Sequence, residues 1–472
     1  MRRSSLLVRR FFSTQYMVKP ERQIGEITPT KEAYSNSLRI ATPAVAEMVT
    51  IALMSMMDTV MVSQLGLTAI AAVALTGQPR MIFLSPFFAL YVAVTAIVSR
   101  NKGAGDPNAA KSCLRQAIII TVFAGLLITI ASIFISRPLM MLAGADHYTL
   151  DLSTSFLRIS MYALTFQVLA GVINAAQRAV GNTKISMQVN IVANAVKVLF
   201  NFLLIEGRFG FPRLGVDGAA VSLVIAAFIS FTLAAFSLLR KNSYLYLPLR
   251  REDWRLDIPM LKIIGRLTGG GVLEQVSLRV GFFAYARVVA GLGYMDLAVH
   301  QIGMQLMNLS FTFADGIAKG ITALVGQSLG RNRPDLSIMY GKIGMRLAIC
   351  ASVTLGILSI LTRYQFPRLF ADNPYVIEYA AWIILILAFL LPIQTSQVVM
   401  GGSLRGAGDT RFVAMTMLVT VGFLRPVGGF VLTYTFGFGL TGAWVAIMID
   451  QSVRLILLFT RFSRGRWITE RL

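Results

Sequence analysis

The stretch Arg178-Ala-Val-Gly-Asn-Thr-Lys184 returns 227 residues later as Arg405-Gly-Ala-Gly-Asp-Thr-Arg411. Single-residue landmarks repeat at the same offset: Glu47 with Glu274, Gly66 with Gly293, Gln78 with Gln305, Gly103 with Gly330, and Pro107 with Pro334. After a shift of three residues, Gly215–Ala219 also matches Gly439–Ala443. One offset that holds over most of a half-chain indicates an internal repeat, so the sequence predicts two related halves.

The composition around these repeats is typical of a membrane protein. Of the 472 residues, 56% are hydrophobic and 14% are charged, and the mean hydropathy is +0.67. Apolar stretches of about 20 residues can cross a bilayer, and they do so as helices. Twelve are predicted, near 38–63, 75–99, 113–136, 152–176, 185–206, 216–239, 260–290, 298–328, 343–362, 376–402, 412–435 and 440–460. The predicted fold class is an all-α polytopic membrane protein with two pseudo-symmetric six-helix lobes.

The distribution of Lys and Arg predicts the orientation of these spans. If both termini are cytoplasmic, sixteen basic residues fall in the cytoplasmic loops, and both tails are basic as well. The outer loops hold five: Arg137, Arg208, Arg213, Arg363 and Arg368. Cytoplasmic loops carry the excess of positive charge in membrane proteins, so this bias supports an even number of spans and two halves of the same orientation.

The net charge of +22 does not indicate a nucleic-acid partner, because the basic residues lie in short loops between apolar runs rather than on one face of a soluble domain. The two cysteines, Cys113 and Cys350, and the two histidines, His147 and His300, are too few for a disulfide framework or a His/Cys metal site. No loop is long enough for a catalytic domain, so we expect no enzyme activity.

Five segments are predicted along the chain. Residues 1–36 form a basic N-terminal tail or targeting segment outside the fold, 37–239 the N-terminal lobe, 240–258 a cytoplasmic linker, 259–462 the C-terminal lobe and 463–472 a cytoplasmic tail. The opening MRRSSLLVRRFFSTQY has the Arg- and Ser-rich composition of a mitochondrial presequence. The alternatives are a basic cytoplasmic tail or a true start at Met17.

Three runs resemble the multidrug and toxic compound extrusion family. They are Pro43-x-x-x-Glu47 followed by Met57-Asp-Thr-Val-Met61, then Val325-Gly-Gln-x-Leu-Gly330, then Gly402-Ser-Leu-Arg-Gly406. The resemblance covers about residues 37–460 and leaves open the NorM-like or DinF-like subgroup. It implies a V-shaped, monomeric antiporter that exports amphipathic or cationic drugs across a bacterial-type plasma membrane, or an organelle membrane if residues 1–16 are a presequence. Na⁺ or H⁺ would be the coupling ion, with no other cofactor.

The resemblance also implies site residues. The family's first-helix acid falls on Asp58, and its paired fifth-helix amides fall on Asn190 and Asn194. Its seventh-helix acid falls on Glu274. A second coupling or substrate site is predicted there, with Tyr285, the repeat counterpart of Asp58, and Gln394, which stands where some members carry a tenth-helix Asp.

The polar residues inside the spans support these assignments, since an ionisable group in a membrane is costly and commonly functional. Asn190, Asn194, Lys197 and Asn201 are spaced to share one helix face. The alternative for the amides is hydrogen bonding between helices. We expect Asn201 and Lys197 to be structural, with Lys197 neutralising an acid, and Glu47 to lie solvated near the cytoplasmic end.

Two intramembrane charges occur in one half only. Arg279 and Asp315 lie on consecutive predicted spans, and we hypothesise that they pair, with Asp315–Lys319 as the competing pair. Two rival functions stay open. A lipid-linked oligosaccharide flippase would need several cavity cations, and a membrane-embedded transferase would need a polar cluster in an interfacial loop.

Overall fold

The computed structural model describes residues 11–241, 243–247 and 254–469. These residues form helices and loops without a strand. The twelve long helices are α1 Thr30–Ser63, α2 Leu67–Ala104, α3 Pro107–Leu142, α4 Leu150–Ala179, α5 Thr183–Leu204, α6 Val216–Leu238, α7 Ile258–Ala290, α8 Tyr294–Gly330, α9 Pro334–Leu361, α10 Pro374–Gly406, α11 Thr410–Thr435 and α12 Gly439–Arg464. The prediction of an all-α protein with twelve helices is confirmed.

Ten of these helices are long and apolar enough to cross a membrane. The other two, α7 and α8, have 33 and 37 residues, but charges interrupt their apolar runs. Glu274 and Arg279 lie in α7, and Asp315 and Lys319 lie in α8. The protein is therefore a multi-pass membrane protein.

The internal repeat is visible in the backbone. Gly66 precedes α2 with φ 99° and ψ 173°, and Gly293 precedes α8 with φ 104° and ψ 170°. Glycine adopts this conformation without the steric cost of a Cβ atom. Pro107 and Pro334 begin α3 and α9, where the missing N–H of proline would have had no helical partner. The repeated landmarks thus stand at equivalent turns of the two halves.

The chain divides into two compact units. The first unit is Ala46–Thr268, and the second unit joins the described residues up to Val45 to those from Gly269 onward. Each boundary falls inside a helix, α1 or α7, next to residues that weaken a helix. These are Pro43 in α1 and the run Gly269-Gly-Gly271 in α7.

The two units differ from the predicted lobes at their first helices. Residues 37–45, expected in the N-terminal lobe, belong to the second unit, and residues 259–268, expected in the C-terminal lobe, belong to the first. Residues 243–247 of the predicted linker pack on the first unit, where Leu247 N–H donates to the carbonyl oxygen of Leu238 at 3.1 Å. Apolar runs locate helices, but they do not show which unit each turn packs on.

The N-terminal segment is part of the second unit. Met17 and Val18 are 1% and 3% exposed, in the apolar core of that unit. Arg22 Nη1 donates to the carbonyl oxygen of Ser463 at 2.6 Å, and Lys342 Nζ donates to that of Met17 at 2.6 Å. The expectation that this segment lies outside the fold is wrong for its described residues. Residues 1–10 of the predicted targeting segment lie outside the part that the structure describes.

Candidate functional site

Asp58 lies near the end of α1, and two side chains of α5 contact its carboxylate. Lys197 Nζ forms an ion pair with Oδ2, and Asn201 Nδ2 donates to Oδ1 at 2.7 Å. The side chains of Asp58 and Lys197 are 18% and 22% exposed, whereas Asn201 is 1% exposed. Both carboxylate oxygens are therefore occupied, one of them by a charged group. We call these three residues the Asp58 cluster.

Arg80 of α2 is a second cation near this carboxylate. Its Nη2 donates to Oε1 of Gln167 on α4 at 2.9 Å, and its charge interacts electrostatically with Asp58. Together with Lys197, Arg80 gives the cluster two positive charges against one negative charge.

A second polar cluster lies on the same two helices, eleven residues closer to the start of each helix. Glu47, 2% exposed, accepts hydrogen bonds from Ser186 Oγ and Asn190 Nδ2, both at 2.9 Å, and from Arg178 Nη1 at 3.1 Å. Asn194 Nδ2 donates to the backbone oxygen of Asn190 at 2.8 Å. The expectation that Glu47 is solvated is wrong, because Arg178 compensates its charge and allows burial.

The two clusters follow from one register between α1 and α5. Glu47 contacts the residues 139 and 143 positions further along the chain, and Asp58 does the same. The acids are eleven residues apart, close to three helical turns and about 16 Å along the axis. Helices α1 and α5 therefore run in the same direction and are joined by two sets of polar contacts with the same offset.

This register separates the residues that were predicted to form one site. Asn190 and Asn194 lie on the predicted face of α5, but Asn190 contacts Glu47, and the contacts of Asp58 come from Lys197 and Asn201. Helical periodicity places these four residues on one face of α5. Sliding α1 along α5 by three turns would keep the same face in contact, so periodicity alone does not decide which of the four residues contacts Asp58. The sequence signal that would have found the pairing is the common spacing of eleven, from Glu47 to Asp58 and from Asn190 to Asn201.

The second unit repeats the Glu47 contact. Glu274 of α7 accepts a hydrogen bond from Arg405 Nη1 at 2.7 Å. Glu274 and Arg405 are the repeat counterparts of Glu47 and Arg178, and both pairs are separated by 131 residues. The pair neutralises Glu274, whose side chain is 8% exposed.

The other two residues of the predicted second site have separate contacts. Tyr285 donates its hydroxyl to the backbone oxygen of Ala443 at 2.9 Å. Gln394 Nε2 donates to the backbone oxygen of Met307 at 3.4 Å, and its Oε1 is buried without a hydrogen-bond partner. The described contacts do not join Glu274, Tyr285 and Gln394 into one cluster.

A buried cluster in the second unit was missed by the sequence analysis. Asp450 of α12, 0% exposed, accepts hydrogen bonds from two guanidinium groups. Arg425 of α11 donates to Oδ2 through Nε at 2.8 Å and Nη2 at 2.5 Å, and Arg454 donates through Nη2 to Oδ1 at 2.6 Å. Arg454 Nε also donates to Thr420 Oγ1 at 3.2 Å. The spacing of four between Asp450 and Arg454 was the available signal.

The hypothesised pairing of Arg279 with Asp315 is not the one found. Asp315 Oδ2 lies 2.8 Å from Lys319 Nζ, the competing pair with a spacing of four. Nε of Arg279 is buried without a hydrogen-bond partner. Asp315 and Lys319 lie one turn apart on α8, so their pair forms within one helix. A pair between Asp315 and Arg279 would depend on how α7 and α8 pack.

Comparison with known proteins gives the family. The chain matches the family described as MatE over residues 43–203 and 272–431, one segment in each half. The chain belongs to the MatE family. Its members are transporters rather than enzymes, in agreement with the expectation from the sequence.

Relatives cover nearly the whole chain. The probable multidrug resistance protein NorM of Thermotoga maritima is 26% identical over 435 residues, which cover 91% of this chain and 92% of the relative. The protein of the same name from Agrobacterium fabrum is 28% identical over 419 residues, covering 86% and 88%. A solved MOP superfamily transporter from Pyrococcus furiosus has a TM-score of 0.86 at 20% identity and covers 93% of this chain and 97% of its own. The likeness to that structure shows the shared fold.

Proposed function

We propose that this MatE protein exports small amphipathic organic compounds from the cell in exchange for a monovalent cation, H⁺ or Na⁺, and that Asp58 is the coupling carboxylate. Family membership and relatives named as multidrug resistance proteins support multidrug efflux. The single observation that carries the role of Asp58 is its contact with Lys197 and Asn201 on a neighbouring helix. We place the protein in the plasma membrane, as a monomer.

Exchange at Asp58 requires that an ion can reach the carboxylate, and the geometry suits this. The Asp58 side chain is 18% exposed, whereas Glu47 is 2% exposed and bound by Arg178. A carboxylate between apolar helices is neutralised most readily by a cation or a proton. The amide role therefore passes to Asn201, because Asn190 donates to Glu47 and Asn194 donates to the backbone oxygen of Asn190. Glu274, neutralised by Arg405, has no part in the proposal.

Gradient-driven efflux from proteoliposomes tests the proposal. Asp58→Asn keeps the volume of the side chain and removes the titratable charge, so dye efflux driven by a pH or Na⁺ gradient should fall to the level of empty liposomes. Asp151→Asn is the control, because its carboxylate is 80% exposed and its pairing with Arg137 is a surface contact. Efflux at the wild-type rate by well-folded Asp58→Asn protein would reject the role of Asp58.

The positive charge around Asp58 favours a second candidate substrate class. Lys197 and Arg80 outnumber Asp58 two to one, which suits an anionic group such as the pyrophosphate of a lipid-linked oligosaccharide. Competition decides between the classes. Inhibition of dye efflux by a polyprenyl pyrophosphate, but not by an organic cation of similar hydrophobicity, would favour the flippase.

A further inference from the structure

The ammonium group of Lys197 lies where an ion bound to Asp58 would have to lie. Lys197 Nζ contacts Oδ2 of the carboxylate, and Asn201 Nδ2 occupies Oδ1. Lys197 on α5 contacts Asp58 directly, and Arg80 on α2 is a second cation close enough to be stabilised by its charge. A sodium ion entering beside Lys197 would be a third positive charge near one carboxylate, and the like charges would repel one another.

The second unit carries a corresponding cation. The repeat offset pairs Lys197 with Leu424, one residue before Arg425. The π-helical segment Leu418–Leu424 ends directly before Arg425, and a π-turn takes up one residue more than an α-turn. Arg425 therefore stands where the repeat places Lys197. In agreement, its guanidinium carbon is 5.1 Å from the ring of Phe282, one turn before Tyr285, the counterpart of Asp58.

The two cations differ in how tightly they are enclosed. Arg425 and its acid Asp450 are 2% and 0% exposed, and Arg454 binds the same acid. Lys197 and Asp58 are 22% and 18% exposed, and Asp58 has one direct cationic partner. The Arg425–Asp450 pair is fully buried, whereas the Lys197–Asp58 pair is partly exposed, so its ion pair can separate.

We propose that Lys197 is a tethered cation that takes the place of a coupling sodium ion at Asp58, so that the site binds protons but not Na⁺. The inference rests on the proposed coupling role of Asp58. In the exchange, a proton from water forms an O–H bond at Asp58 and the ion pair with Lys197 opens, with Lys197 keeping its charge. Loss of that proton to water on the other side restores the pair.

Asn201 is suited to both states of the carboxyl group. Its Nδ2 donates to ionised Asp58, and its Oδ1 is buried without a hydrogen-bond partner, although the residue is 1% exposed. Rotation of the amide by half a turn would present Oδ1 to a protonated Asp58, whose O–H would then donate. In the absence of Lys197, the same rotation would offer an oxygen ligand to Na⁺, a cation that prefers oxygen ligands.

Lys197→Met tests the substitution of a lysine for an ion, because it keeps the length of the side chain and removes the charge. The readout is the thermal unfolding of purified protein in detergent at constant ionic strength, with Na⁺ exchanged for choline. The wild-type Tm should be the same in both salts. The Tm of Lys197→Met should rise with Na⁺ concentration, as binding to the folded state requires.

Three variants control this measurement. Lys197→Arg keeps the positive charge, and the double variant Asp58→Asn/Lys197→Met has neither charge. The Tm of both should therefore be independent of Na⁺ concentration. Lys319→Met removes the matched lysine of the Asp315–Lys319 pair, whose side chains are 32% and 30% exposed, and it should also ignore Na⁺. If Lys197→Met fails to fold, Lys197→Gln is measured in its place.

A wild-type Tm that rises with Na⁺, or a Lys197→Met Tm that does not, would overturn the inference. An equal Na⁺ response of Lys319→Met would overturn it as well, because the effect would not belong to the Asp58 cluster. Transport separates this failure from failure of the proposed function. Wild-type efflux driven by Na⁺ alone rejects the tethered cation and keeps the exchange, whereas no efflux under either gradient rejects the exchange itself.

Discussion

Asp450→Asn is expected to be among the most destabilising conservative substitutions in the second unit. The carboxylate of Asp450 is 0% exposed, and the guanidinium groups of Arg425 and Arg454, 2% and 4% exposed, both donate to it. The neutral amide keeps the shape of the side chain but leaves two buried cations close together without an anion. Both the lost attraction and the remaining repulsion act against the folded state.

The magnitude follows from these contacts. Removal of one partner from a buried ion pair costs about 3–5 kcal/mol. We expect a loss in this range, which lowers the folding equilibrium constant by about two to three and a half orders of magnitude. Arg454→Met should cost less, about 1–2 kcal/mol, because Asp450 keeps its hydrogen bonds of 2.8 and 2.5 Å from Arg425.

Equilibrium unfolding in mixed micelles measures these free energies. The control is Asp151→Asn, which breaks the Arg137–Asp151 pair of 2.8 Å between side chains 51% and 80% exposed. A surface pair of this kind is worth about 0–1 kcal/mol. Equal losses for Asp450→Asn and Arg454→Met, or a loss for Asp450→Asn as small as the control, would refute the reasoning from burial.

Three further outcomes are expected. An impermeant thiol reagent should label single cysteines in the linker 243–247 from the cytoplasmic side only, in protein without its native cysteines, and labelling from outside would reject the assigned orientation. Arg405→Met should recover part of the folded yield lost in Glu274→Gln, because the double variant buries no unpaired charge, and additive losses in the double-mutant cycle would contradict the pair. Val18→Asp should lower the yield sharply and the exposed control Glu21→Ala should not, because Val18 is 3% exposed and a buried unpaired charge is costly.

The sequence predicted the helices well because membrane spans leave a strong local signal. Predicted and observed ends of α4, α5 and α6 differ by three residues or fewer, and the largest difference is at the start of α9. The repeat could also be predicted, because turns such as that at Gly66 require one residue type and tolerate few others.

Contacts between helices were harder to predict. The face of α5 that carries Asn190 and Lys197 was correct, but periodicity fixes the direction of a side chain and not its height along a neighbouring helix. Asp58 was therefore grouped with Asn190 and Asn194 rather than with Lys197 and Asn201, which contact it. Asp450 was missed because it has no acidic counterpart in the repeat, where the shifted offset places Ala226.

The packing of the N-terminal segment on the second unit has a consequence for the order of synthesis. Arg22 and its hydrogen-bond acceptor Ser463 are 441 residues apart in the chain. At about 5–20 residues per second, a ribosome takes about 20–90 s to make the intervening chain. Met17 and Val18 are therefore synthesised well before the last helix of the unit in whose core they pack. During that interval the apolar side chains of the segment need another cover, either the membrane surface or a chaperone.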